Sequence, residues 1–137
     1  EEYAWLAGDF QIDRSVNGMP CLIPIRGIQI GSWEDHGYPH FSGTGCYYTN
    51  IEIPEEAAGK RIWLDAGRVG SLLEVEINAQ PVGVRAWPPY KLEVTGHVRP
   101  GQNQFMLKVT NSGANFFQGP DKANPSGLLD DVYLEFE

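Results

Sequence analysis

The chain has 137 residues and no apolar run approaching the ~20 residues that a membrane-spanning helix needs, so no membrane is expected among its partners. It begins with Glu rather than Met and has no basic, apolar leader, so it reads as a processed or excised piece. Cations are scarce, with 10 Lys and Arg against 18 Asp and Glu and a formal net charge of -8. Nucleic-acid binders neutralise phosphates with Lys and Arg, so this balance argues against nucleic acid and anionic membrane surfaces. The only cysteines, Cys21 and Cys46, are too few for a disulfide framework and read as two semi-buried thiols that leave the redox compartment open.

Catalytic signatures are missing as well. There is no Gly-x-Ser-x-Gly elbow, no His-Glu-x-x-His, no phosphate-cradling glycine loop and no reactive-cysteine context. Carboxylates are plentiful, but nothing in the order of residues singles out the spatial pair that glycoside hydrolysis needs.

What is present points to strands and turns. With 16 Gly and 10 Pro beside 42% apolar residues, a turn-rich all-β fold is expected rather than disorder. The length fits one domain over residues 1–137 with a core large enough to stand without staples. Helical periodicity is almost absent, whereas period-two alternation recurs.

Strands are expected at 5–13 and at 22–30, with a bulge at Gly27 where the apolar parity flips. In 45–53, Tyr47, Thr49, Ile51 and Ile53 share one face. Next, Ile62, Leu64 and Ala66 face inward and Trp63 outward; Leu73, Val75 and Ile77 alternate with Glu74 and Glu76. Short strands at 82–86 and 90–94 flank "WPP". Phe105, Leu107 and Val109 mark a further strand, and Val132, Leu134 and Phe136 the last. About nine strands at this spacing describe an antiparallel β-sandwich.

If successive strands from Gly45 onward run antiparallel, alternate connections share an end of the sandwich. Residues 31–44, 67–72, 86–89 and 112–127 then fall at one end, and 54–60, 79–81 and 95–103 at the other. The first end collects long, aromatic loops; the second has compact turns. A rigid sandwich displaying long loops at one end is a common way to build a binding site.

Sugars are bound by aromatic rings stacked on pyranose C–H faces and by planar polar groups that hydrogen-bond hydroxyls, in a concave site. Trp33, Tyr38, Trp87 and Phe117 supply the first kind of group, and His40, Arg68, Asn115 and Asp121 the second. For each aromatic the alternative is a lid on the open end of the core. Of the adjacent Phe116 and Phe117, one is expected to be buried and one displayed. Outward Trp63 suits packing under another segment or domain, with a sheet-face glycan platform as the other option. His36 and His40 have helical ligand spacing, but Gly37 and Pro39 forbid the helix, so a metal pair is poorly supported. Carboxylates in "LLDDV" and "PDK" are compatible with a structural calcium, the sole cofactor candidate; no cofactor is required and no metal ligand set can be named.

The motifs "FSGTGCYYTNIEIP", "RIWLDAGRVGSLLEVEINAQPVG", "WPPYKLEVTGHVRPGQNQFMLKVTN" and "NFFQGPDKANPSGLLDDVYL" together resemble the sugar-binding-type β-sandwich of glycoside hydrolase family two and the similar accessory domain of large bacterial α-L-rhamnosidases. The likeness covers about residues 31–137. It implies a jelly-roll, galactose-binding-like, non-catalytic domain of a secreted or periplasmic polysaccharide-degrading enzyme. The implied partners are an oligo- or polysaccharide and the catalytic domain of the parent enzyme.

Most matched positions read as structural, with Asn103 and Asn111 suited to capping turns. Ala79 stands where the family usually has glycine, in a turn that demands positive φ. Trp87 comes one position late, and the arginine often found after the asparagine of "NFFQGPD" is missing. The leading reading is a carbohydrate-binding module. A structural accessory domain without independent sugar affinity is the alternative, and a small stand-alone hydrolase the third.

Overall fold

A computed structural model describes residues 8, 10–13, 18–19, 21–24, 27–113, 117 and 124–137. Among these, regular structure is almost entirely β: Gln11–Asp13 (β1), Cys21–Ile23 (β2), Thr44–Ile53 (β3), Ile62–Asp65 (β4), Val69–Gly70 (β5), Leu72–Ile77 (β6), Gln80–Arg85 (β7), Lys91–Glu93 (β8), Gly101–Thr110 (β9), Gly127–Leu128 (β10) and Tyr133–Phe136 (β11). No helix among the described residues is long and apolar enough to cross a membrane.

Every strand pair is antiparallel. One sheet runs β3-β9-β6-β7, and the facing sheet runs β11-β4-β8; β5 with β10, and β1 with β2, form two small additional ladders. The alternation read from the sequence is what the sandwich buries. Ile53, Leu73, Val75, Ile77, Phe105, Leu107 and Val109 of the larger sheet meet Ile62, Leu64 and Leu92 of the smaller. Fully burying one such side chain is worth about 1.5–3 kcal/mol, which is why the pleat's period of two fixes the register.

Among the described residues there are eleven strands rather than about nine, and the additions are β5 and β10, two residues each. Residues 112–127, expected as irregular throughout, therefore end in a strand residue, Gly127. At the N-terminal side, among the described residues of the expected 22–30 strand only those of Cys21–Ile23 pair, and 27–30 lie outside any sheet, so no described ladder runs through Gly27 for a bulge to interrupt. Of the expected 5–13 strand, β1 is the described part.

The turn between β6 and β7 keeps positive φ without glycine, with Asn78 at 52° and Ala79 at 61°. Asn78 anchors it: its Nδ2 donates to Asn103 Oδ1 at 2.9 Å, and its Oδ1 accepts from the Gln104 N–H at 3.0 Å. Asn103, 1% exposed, caps the neighbouring turn by donating to the Arg99 and Gly101 carbonyls at 2.6 and 2.9 Å.

Candidate functional site

Register places the loops. Thr44 pairs with Thr110, Leu72 with the same Thr110, and Leu73 with Arg85, so the segment before β3, the loop after β9, the β5–β6 connection and residues 86–89 share one end of the larger sheet. In the facing sheet Asp65 pairs with both Lys91 and Tyr133, which puts the loops after β4 and before β11 there too. Asn78 contacts the His97 carbonyl at the opposite end. The parity division holds among the described residues.

Asn111 ties this end together. Its Oδ1 accepts from the Gly43 N–H at 2.8 Å, while its Nδ2 donates to the Phe41 carbonyl at 2.7 Å and to Ser126 Oγ at 3.0 Å. One side chain thus joins the segment before β3, the end of β9 and the approach to β10.

The described aromatics of this end divide between lid and display. Trp33 is 1% exposed and its Nε1–H donates to Tyr47 Oη at 2.7 Å, which removes it from the stacking set. Its space is made by two glycines: a Cβ on Gly45 would lie 2.5 Å from the indole, and one on Gly127, at φ 107°, 2.6 Å from Nε1. Tyr38 is half-buried, packs on the core and meets Phe41 edge to face at 6.1 Å, so it belongs with the lid. By contrast Trp87 is 74% and Phe117 82% exposed. Phe117 lies near Gly113 and Ser42. It therefore sits over the β3–β9 flank, whereas Trp87 follows β7, the far edge, two to three strand spacings or about 10–14 Å away.

Arg68 is committed to a partner that the sequence did not reveal. Its Nε and Nη2 donate to Asp130 at 3.0 and 2.7 Å, and its backbone N–H adds a third bond at 2.9 Å. The side-chain hydrogen bonds, then the backbone one, hold the Asp130 carboxyl below the usual carboxylate range. An open hollow of about 570 Å³ lies beside this pair, lined by Asp65, Asp130, Asp131 and Tyr133 among others; Tyr133 is 60% exposed. His40 is exposed, His36 is half-buried, and among the described residues no cluster of three His, Cys, Asp or Glu converges to hold a metal ion. Asn115, Phe116 and Asp121 lie outside the described residues.

Trp63 stays on the outer face of its sheet, with Arg61 at 5.2 Å and Lys91 at 5.7 Å from its ring centre and its Nε1–H donating to Glu137 at 3.2 Å. A cavity of about 680 Å³ lies elsewhere: an apolar groove between Ile28–Ile30, β3 and β11, which neither Trp87 nor Phe117 lines.

No protein-family model matches the chain. Over 122 residues it is 33% identical to a curated protein of Formosa agariphila that bears a beta-glucuronidase name, which spans 85% of this chain and 10% of that protein. A solved rhamnosidase structure from Novosphingobium sp. PP1Y matches with TM-score 0.68 and 29% identity over 98% of this chain and 15% of its own. A beta-glucuronidase of Bacteroides uniformis shares the fold, with TM-score 0.63 at 22% identity over 82% of this chain and 14% of its own. The chain therefore spans only 10 to 15% of these relatives. Its β-sandwich is similar to one that makes up a small part of the solved rhamnosidase, and it shares its fold with part of a glycoside hydrolase family 2 structure from Bacteroides cellulosilyticus.

Proposed function

We propose that residues 1–137 form one non-catalytic carbohydrate-binding domain of a secreted or periplasmic glycoside hydrolase that degrades polysaccharides. The observation that supports this reading most is the display of Trp87 and Phe117 at the loop end, which also carries, on its β4–β11 flank, a hollow with three carboxylates and an exposed tyrosine. Exposed rings offer stacking faces, and carboxylates accept from sugar hydroxyls. Asn115 and Asp121 stay in the proposal on sequence grounds alone. Trp33 and Tyr38 support the site from beneath, and Arg68 acts by holding Asp130. Calorimetric titration with a panel of oligosaccharides tests it: one class binds the isolated chain, and Trp87→Ala or Phe117→Ala weakens that binding about tenfold, as loss of a stacking ring at about 1–2 kcal/mol would require. Absence of binding across the panel would reject the reading.

The 680 Å³ apolar groove favours a second reading, a structural accessory domain that packs on a catalytic domain without sugar affinity of its own.

A further inference from the structure

Seven Lys and Arg fall among the described residues: Lys60, Arg61, Arg68, Arg85, Lys91, Arg99 and Lys108. Four of them, Arg61, Arg68, Lys91 and Lys108, are in described ion pairs. Lys60 and Arg99 lie in the compact turns of the opposite end. Arg85 is thus the one described Lys or Arg at the loop end without a carboxylate partner, two residues before the exposed Trp87.

Its guanidinium is fixed nonetheless. Nε donates to the Lys91 carbonyl and Nη1 to the Val84 carbonyl, each at 3.1 Å, so the group bridges the β7 and β8 edges of the two sheets. Arginine has five N–H donors, and these bonds use two, which leaves three with no described acceptor. Arg85 stands opposite Leu73 and so leaves β7 on the core side, whereas Glu74 stands opposite Val84 on the other face. The acidic hollow of Asp65, Asp130 and Asp131 lies on the β4–β11 flank, across β8 from Arg85. A planar fork held in place by backbone carbonyls, with donors to spare and an exposed indole two residues further along the chain, matches a sugar ring that carries an oxyanion. The indole takes the ring face and the fork takes the anionic substituent.

Resting on the carbohydrate-binding reading, we infer that the Arg85–Trp87 corner selects acidic saccharides, with the anionic group, a carboxylate or a sulfate ester, on the Arg85 fork. Calorimetry of the chain with three probes of equal length tests this: an oligogalacturonide, a sulfated galactan oligosaccharide and a neutral galacto-oligosaccharide. An acidic probe binds at least about fivefold more tightly than the neutral one, as an added charge-assisted bond at an exposed site predicts. Arg85→Gln removes that margin and leaves neutral affinity unchanged, Arg85→Lys restores only part of it, and Trp87→Ala lowers affinity for all probes. The acidic probe that gains more identifies the anion.

Equal affinity for acidic and neutral probes, or a margin that survives Arg85→Gln, overturns the inference while the carbohydrate-binding reading stands. No binding of any probe overturns both. Thermal melting of Arg85→Gln within a few degrees of the parent protein assigns the lost margin to the ligand contact, since the two carbonyl bonds at the sheet edges are also removed; a neutral affinity that falls with it counts against selection.

Discussion

Replacing Asn111 with alanine removes three hydrogen bonds that join separate segments of the loop end. Each such bond is worth about 1 kcal/mol net, and partial solvent access lets water replace some of them, so the expected loss is about 2 kcal/mol. For 137 residues at about 2.1 cal/mol/K of unfolding entropy per residue, that lowers Tm by about 7 °C. Asn111→Asp is expected to do no better than alanine. It keeps the acceptor for Gly43 but turns a carboxylate oxygen toward the Phe41 carbonyl, which needs a donor. Calorimetric melting gives the total, and amide hydrogen exchange gives the place. Protection is expected to fall at 41–44 and 126–128 and to persist at 78–79 and 101–105. A Tm within about 2 °C of the parent protein, or an exchange change centred on the far end, would refute the claim that this side chain holds the loop end together.

Other outcomes follow from the same geometry. Ala79→Gly relieves a left-handed residue, a cost of about 1–2 kcal/mol for an L-residue, against a glycine entropy penalty of about 0.5–1 kcal/mol, so a small rise in Tm is expected and a fall would contradict it. The Asp130 carboxyl is depressed in the folded state by Arg68, so its contribution to stability is present above the unfolded carboxylate value and is lost as pH falls through the folded one. The stability of the parent protein should therefore decline faster than that of Asp130→Asn below about pH 4, whereas parallel pH–Tm curves would remove the pair from the account.

The residues differ in how much they reveal in order alone. The alternation of Leu73, Val75 and Ile77 with Glu74 and Glu76, or of Ile62 and Leu64 with Trp63, announces a half-buried strand, and both are found as read. Period two needs about four residues to show, so the two-residue ladder of β5 with β10 was invisible. Trp33 and Trp87 look alike as candidates for stacking. What separates them is room: Gly45 and Gly127 vacate the space that Trp33 fills, and no local pattern reports glycines so distant in sequence. Arg68 likewise finds Asp130 only through the fold, 62 residues away. Loop ends were legible because they follow from strand direction; which side chains point out of them depends on packing among segments that meet only in three dimensions. Arg85 carried one usable signal, its place at the end of a strand two residues before Trp87.

The central claim is that the loop end binds saccharide through its displayed rings. Its most direct test is titration of a bound oligosaccharide against Trp87→Ala and against Tyr48→Ala, a comparably exposed aromatic ring, 66% accessible, on the outer face of the larger sheet. The account predicts about a tenfold weakening from the first and an unchanged affinity from the second. Equal losses from both, or a loss from Tyr48→Ala alone, would contradict it.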